Sequence, residues 1–180
     1  LNLQVENLQM TEEAVENKIP VVFDRYDING RNFFFRPDNL YAVTTEYITT
    51  KDGKMNLKEF ALTPLLSYAN FRKFYPSKRN LYAFKTSEMQ FKDIELNGNK
   101  IRLANAEFED PELKIYTTNV KPPATKKDFN YVVNMEEVLI NNAKISILKP
   151  AGTPLLNVEN ISLNINKFLM NADTSKQPLP

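Results

Sequence analysis

The chain contains no histidine and no cysteine, which removes the side chains that most nucleophilic and metal-assisted hydrolases need. A Ser/His or Cys/His triad cannot be assembled, and neither a Gly-x-Ser-x-Gly elbow nor a phosphate loop ending in Gly-Lys-Ser/Thr occurs. The most metal-like string is Asp24-Arg25-Tyr26-Asp27-Ile28-Asn29-Gly30, three oxygen donors followed by a glycine. In a calcium loop the first ligand stands five residues before that glycine, and here the position is Arg25, a cation facing a cation. A hairpin turn with acidic shoulders is the better account. Glu107-Phe108-Glu109-Asp110 and Glu136-Glu137 are the densest acidic groups. Neighbours on a strand point to opposite faces, so adjacent acids do not by themselves form a glycosidase pair. The expectation is a non-enzymatic chain with no cofactor and no metal.

Aromatic side chains are the other concentrated chemistry. Phe33-Phe34-Phe35 and the set Tyr68, Phe71, Phe74, Tyr75 gather much apolar area into two short stretches. Core packing is the first explanation for such rings. Three consecutive phenylalanines on a strand nonetheless place rings on both faces, and one face then needs cover from a second layer, a partner or a lipid. Phe33, Phe35, Tyr68, Phe71 and Phe74 are therefore the candidate contacts for an apolar ligand or partner. Asn160-Ile161-Ser162 fits a glycosylation acceptor but falls in an expected strand, and chance explains it better.

The elements that must position these residues read as strands. Three of the four glycines follow Asn or Asp, in Asn29-Gly30, Asp52-Gly53 and Asn97-Gly98, dipeptides that supply positive φ in tight turns. The fourth, Gly152, lies in the turn-like Lys149-Pro150-Ala151-Gly152-Thr153-Pro154. Between them apolar and polar residues alternate, as in Leu1 to Val5, Tyr41 to Thr49, Lys100 to Leu103, Lys144 to Ile147 and Ser162 to Ile165, giving roughly ten candidate strands. The fold class expected is mainly β, an elongated, twisted antiparallel sheet of hairpins, with a compact β-sandwich as the alternative. One stretch competes: Thr63 as cap, Pro64 at the first helical position and Leu65 to Tyr75 would form a short helix, or else an ordered loop. Thr11 to Asn17 has a partial helix start. Residues 119–128, with Lys121-Pro122-Pro123 and Lys126-Lys127, read as a linker that could subdivide a single module spanning 1–180.

Five times the chain reads apolar, polar, polar, apolar, any, apolar: Val5 to Met10, Leu57 to Leu62, Phe91 to Leu96, Met135 to Ile140 and Val158 to Leu163. Two consecutive polar residues shift the alternation by one, which in a strand implies a bulge or a twist. The copies are irregularly spaced, so this is no fixed-period solenoid. Chance hexamers in any β protein are the competing account.

With 180 residues the chain can bury a core without disulfides. A net charge of +1 argues against a nucleic-acid partner held by bulk electrostatics. The longest run without charge, Phe60 to Phe71, spans 12 residues and includes Pro64, against the roughly 20 that a spanning helix requires. The chain opens on Leu1 without a basic and apolar leader, and reads as an excised or processed piece, with membrane association only through a segment not present.

From Met55 onward the order of segments resembles the AsmA-like envelope proteins of Gram-negative bacteria, in the long versions common in Bacteroidetes. The resemblance rests on Leu62-Thr63-Pro64, the aromatic segment with Tyr68 and Phe71, Phe91 to Leu96, and Pro111-Glu112-Leu113-Lys114-Ile115-Tyr116. It continues through Lys121-Pro122-Pro123, Val138 to Ile145 and Asn157 to Ile161. Members begin with a membrane anchor and build long curved sheets whose apolar concave face holds acyl chains between two membranes. The resemblance thus implies a periplasmic or envelope location, an anchor in a missing N-terminal segment, and a role in lipid handling or envelope maintenance. It implies lipid acyl chains or an envelope protein as partner, and carries over no catalytic residue. A surface-exposed sandwich used for interaction or adhesion is the alternative that the residues allow.

Overall fold

The computed structural model describes residues 2–6, 25–51, 53–76, 80–118, 120, 131–149 and 152–170. Their order is β1 (Asn2–Glu6), β2 (Arg25–Phe35), β3 (Tyr41–Lys51), β4 (Lys54–Pro64), α1 (Tyr68–Phe74), β5 (Asn80–Lys92), β6 (Glu95–Asn97), β7 (Lys100–Glu109), β8 (Glu112–Thr117), β9 (Val132–Leu148) and β10 (Pro154–Met170). All ten strands belong to one twisted sheet. Mainly β with one short helix is what the alternation implied, and the strands form a single sheet rather than the two of a sandwich. The linker reading at 119–128, Val120 apart, and the helix start at Thr11 to Asn17 lie outside the described residues.

Strands β1 to β5 follow one another as an antiparallel meander. Next to β5, one strand position is shared by β7 and β8, which pair with its two halves. Then β9 runs parallel to both at a constant offset, from Lys100↔Val132 to Tyr116↔Leu148. Finally β10 closes a hairpin with β9.

The turn signals hold at three glycines. Lys51 pairs with Lys54 around Gly53 (φ 73°), Asn97 with Lys100 around Gly98 (φ 57°), and Gly152 (φ 81°) donates its N–H to the Lys149 carbonyl. Asn29-Gly30 is a correction. It is no hairpin turn: it lies inside β2, with Asn29 paired to both Asn2 and Thr49 and Gly30 to Ile48. Ladder bonds on both sides of Asn29 outweigh a local turn preference of a few tenths of a kcal/mol to ~1 kcal/mol. The helix also starts later than expected. Pro64 ends β4, and Ser67 caps α1 by accepting from the Asn70 N–H.

The polar pairs of the hexamer repeat have a structural counterpart. In three copies the second polar residue takes the left-handed conformation: Glu59 (φ 50°), Asp93 (φ 53°) and Asn160 (φ 57°). Glu137 of the Met135 copy does not, and the Val5 copy lies largely outside the described residues. Asn32, Asp110 and Asn142 have φ of 54°, 49° and 55°. Asp93 lies past the end of β5, its N–H donating to the Gly53 carbonyl, but register brings the others to one level of the sheet. Arg31↔Tyr47 and Phe33↔Thr45 set Asn32 beside Glu46; Tyr47↔Lys58 and Thr44↔Ala61 set Glu46 beside Glu59. The ladders continue the line through Ser87 to Asp110 and Asn142; in β10 the inserted Asn160 is staggered from Asn142, Ile161 pairing with Ala143 between two register shifts. A crease of inserted residues therefore crosses the sheet at one level without disturbing register on either side.

Two buried threonines staple this crease. The Thr45 hydroxyl lies 2.6 Å from the carbonyl of Lys58, and the Thr86 hydroxyl 2.5 Å from that of Glu109. Each carbonyl belongs to the residue just before a left-handed one, Glu59 or Asp110, where a regular ladder is interrupted. Glutamate is a poor left-handed residue, costing about 1–2 kcal/mol against glycine. Glu59→Gly is accordingly expected to raise unfolding stability by about 1 kcal/mol, measured by urea denaturation.

Candidate functional site

Residues directly opposite in a ladder share a face of the sheet, so register sorts the side chains. Below the crease one row reads Leu163, Ile140, Phe108, Met89, Leu57, Ile48 and Gly30. A second reads Ile165, Val138, Ala106, Phe91, Met55 and Thr50. The row between them, on the opposite face, is Asn164, Leu139, Glu107, Gln90, Asn56, Thr49 and Asn29. Above the crease Val158, Ile145, Leu113, Phe84, Leu62, Val43 and Phe35 form another apolar row. The residue inserted at the crease puts two polar residues in succession on one face and returns the next apolar residue to the other. The apolar face therefore runs unbroken across the crease, which accounts for the polar pairs Lys58-Glu59 and Glu159-Asn160, whereas Lys92-Asp93 and Glu136-Glu137 lie elsewhere in the sheet.

Every substantial contact between described elements is between neighbours in the sheet. Helix α1 packs elsewhere, at the end of the opposite face. There Phe71, Leu40 and Leu81 are buried, with Tyr68, Tyr75, Leu66 and Tyr116 against them. Among the described residues no second layer lies on the apolar face. Its centre is shielded by mutual contact: Phe60 and Phe84 rings are 6.1 Å apart, and Phe91 meets Phe108 edge-on at 5.9 Å. Its margins are open, with Phe35 54 % and Leu163 48 % exposed.

The structure separates the candidate aromatics. Phe33 and Phe35 lie on the apolar face and are exposed, while Phe34 points the other way and is also exposed. Phe71 is fully buried under α1, where it stacks on Tyr75 at 6.0 Å. Tyr68 stacks on Tyr116 at 5.4 Å, and its hydroxyl donates to the Thr117 carbonyl. Phe74 is exposed on α1 with the Lys73 ammonium 5.5 Å from its ring centre. Phe33 and Phe35 thus share a surface that Tyr68, Phe71 and Phe74 do not. Residue-by-residue scanning for aromatics missed the aliphatic majority of that surface, Ile140, Ile145, Leu113 and Leu163 among them. The signal that finds them is the hexamer repeat, read as a bulge that preserves one face.

Much of the opposite face is polar and internally bonded: Asn105 donates to Glu137 at 3.0 Å and Ser146 to Asn157 at 2.8 Å. Arg102 and Glu136, 2.7 Å apart, share the side of Ala106 and Val138 and set an ion pair at the lower end of the apolar face, and at the crease Asn142 donates to Asp110 at 2.6 Å. Glu112 accepts from Lys85 and Lys114 at 2.8 and 2.9 Å, beside a shallow cavity of about 120 Å³ floored by Ala61 and Ala83. Hydrogen bonds first from Lys85 and then from Lys114 hold the Glu112 carboxyl down at about 2, from an ordinary 4.5. A carboxyl depressed by folding contributes stability above its unfolded pKa, and that contribution fades as pH falls from the unfolded value towards the folded one. Stability is expected to drop between pH 4.5 and about 2, and Glu112→Gln to flatten that part of the profile in pH-resolved urea melts.

Among the described residues no three acidic side chains converge as metal ligands, and no helix is long and apolar enough to cross a membrane. No protein-family model, curated protein or solved structure matches the chain.

Proposed function

We propose that the chain is a non-enzymatic β module of an AsmA-like protein of the bacterial envelope, whose apolar sheet face carries lipid acyl chains. The observation that supports this most is the unbroken apolar face across the crease, on which no other described element packs. Monomeric proteins rarely leave contiguous apolar patches larger than a few hundred Å² without a partner for them. The order of segments adds the envelope location and a role in lipid handling or envelope maintenance.

Magnitudes favour transient carriage over storage. From β2 to β10 the apolar rows cross seven strand positions, roughly 29 Å at about 4.8 Å per step, long enough for an extended acyl chain. A fully buried methylene contributes about 0.8 kcal/mol. An open trough covers one side only, so ten methylenes contribute about 4 kcal/mol, a dissociation constant near the millimolar range. Such a site accepts and releases chains.

The test is organic extraction of the purified chain followed by mass spectrometry, with titration of a fluorescent long-chain fatty acid into the delipidated protein. Co-purifying lipid and saturable probe binding are expected. Absence of both from a folded sample would overturn the reading.

A further inference from the structure

We infer that the outer edge of β10 is a homodimerisation edge, which pairs antiparallel with β10 of a second copy about an axis at the crease. This stands apart from the lipid reading and would hold if no lipid bound. Strand β10 spans Pro154–Met170 and, among the described residues, pairs only with β9. Its other side presents unpaired backbone donors and acceptors, and it carries six of the exposed large hydrophobics, including Leu156, Val158, Leu163 and Ile165. An edge of that length and character is a template for another strand.

The sequence of β10 names the strand that fits. A two-fold interface must be self-complementary, and β10 is close to a palindrome about the junction of Asn160 and Ile161. Reading outward, Glu159 mirrors Ser162, Val158 mirrors Leu163, Asn157 mirrors Asn164 and Leu156 mirrors Ile165. From Leu156 to Ile165, antiparallel pairing in that register sets apolar against apolar on one face and polar against polar on the other; one step further out Leu155 meets Asn166. It leaves Asn160 opposite Ile161 of the second copy, so both strands carry their inserted residue at the same level, as β9 and β10 do where Ile161 pairs with Ala143 between two register shifts. A partner strand without an inserted residue at this level would lose register across the crease.

Charge and proline do not oppose this pairing. The Glu159 carboxylate is neutralised by Lys144 of β9 at 2.5 Å, and it would meet a serine in the second copy. Pro154, which cannot donate to a ladder, would fall at the end of the paired segment opposite Lys167. The two apolar faces would join into one sheet surface of twice the width.

The absence of cysteine gives a clean test on the 180-residue chain. Asn157 and Asn164 of one chain are roughly 24 Å apart along the strand, whereas each would lie about 4.5–5.5 Å from the other's counterpart across the dimer, within disulfide reach. The double variant Asn157→Cys/Asn164→Cys is expected to form a covalent dimer on mild oxidation, and Asn157→Cys alone to form no covalent dimer. Sedimentation of the unmodified chain should give twice its 20.8 kDa. Ser162→Glu, which sets two pairs of like charges in opposition, should return it to one chain, with circular dichroism confirming the fold, while Ser162→Lys should keep the dimer. Single chains at every concentration, open-ended species, or cross-linking by Asn157→Cys as efficient as by the pair would overturn the proposal.

Discussion

Replacing Phe71 with alanine is expected to lower unfolding stability by about 3–5 kcal/mol, the range for deleting a large buried ring. Phe71 has no exposed surface, and with Leu40 and Leu81 it forms the core beneath α1. Helix α1 has seven residues, too few to persist on its own in water. Its docking rests on this ring, the Tyr68–Tyr116 stack and the Ser67 cap. The loss should appear in urea melts as a lower midpoint. Phe74→Ala, at a side chain 61 % exposed on the same helix, should change stability by less than about 0.5 kcal/mol. Similar effects from the two substitutions would refute the assignment of Phe71 to the core.

Phe84→Glu is expected to reduce acyl-chain occupancy at least tenfold while leaving the sheet folded. Phe84 stands mid-row between Leu62 and Leu113 on the apolar face. Losing one aromatic contact surface, covered on one side only, forfeits about 1 kcal/mol of apolar burial, and a carboxylate there would be desolvated by any chain laid over it, which costs more. Thr63→Glu is the control. Thr63 follows Leu62 in β4, so it faces the other side, close to Lys85 and Lys114. Occupancy is read by mass spectrometry of extracted lipid and by titration with the fluorescent fatty acid. Equal loss in both variants would mean that the apolar face is not where the chain lies.

These two substitutions divide the aromatics that looked alike in the sequence. Phe71 and Phe84 are both phenylalanines in aromatic-rich stretches, yet one closes a core and the other lines an open surface. Periodicity cannot separate them, because a ring under a helix and a ring on a face that no other described element covers have the same pattern of neighbours. The difference comes from where α1 docks. A strand ending at Pro64 and a cap at Ser67 direct the helix onto the face that carries Leu81 and Tyr116.

The crease was half legible. Consecutive polar residues such as Lys58-Glu59 and Glu159-Asn160 break a period of two, and a bulge follows from that alone. Their alignment into one line does not follow, because alignment is a property of register between strands. Asn142 and Asp110 carry no shared hexamer, and they meet only because β7 and β8 run parallel to β9 at a fixed offset.

The information carried in chain order is local: alternation that makes strands, Gly53, Gly98 and Gly152 that reverse them, and the missing histidine and cysteine that exclude Ser/His and Cys/His triads. Those properties depend on single residues and their immediate neighbours, so they are written in chain order. Tertiary structure decided that Asn29-Gly30 continues a strand, that β9 joins the sheet in parallel, and that the apolar residues form one surface. Each of these depends on hydrogen bonds between segments far apart in the chain. The free energy of that pairing exceeds the local preferences it overrides.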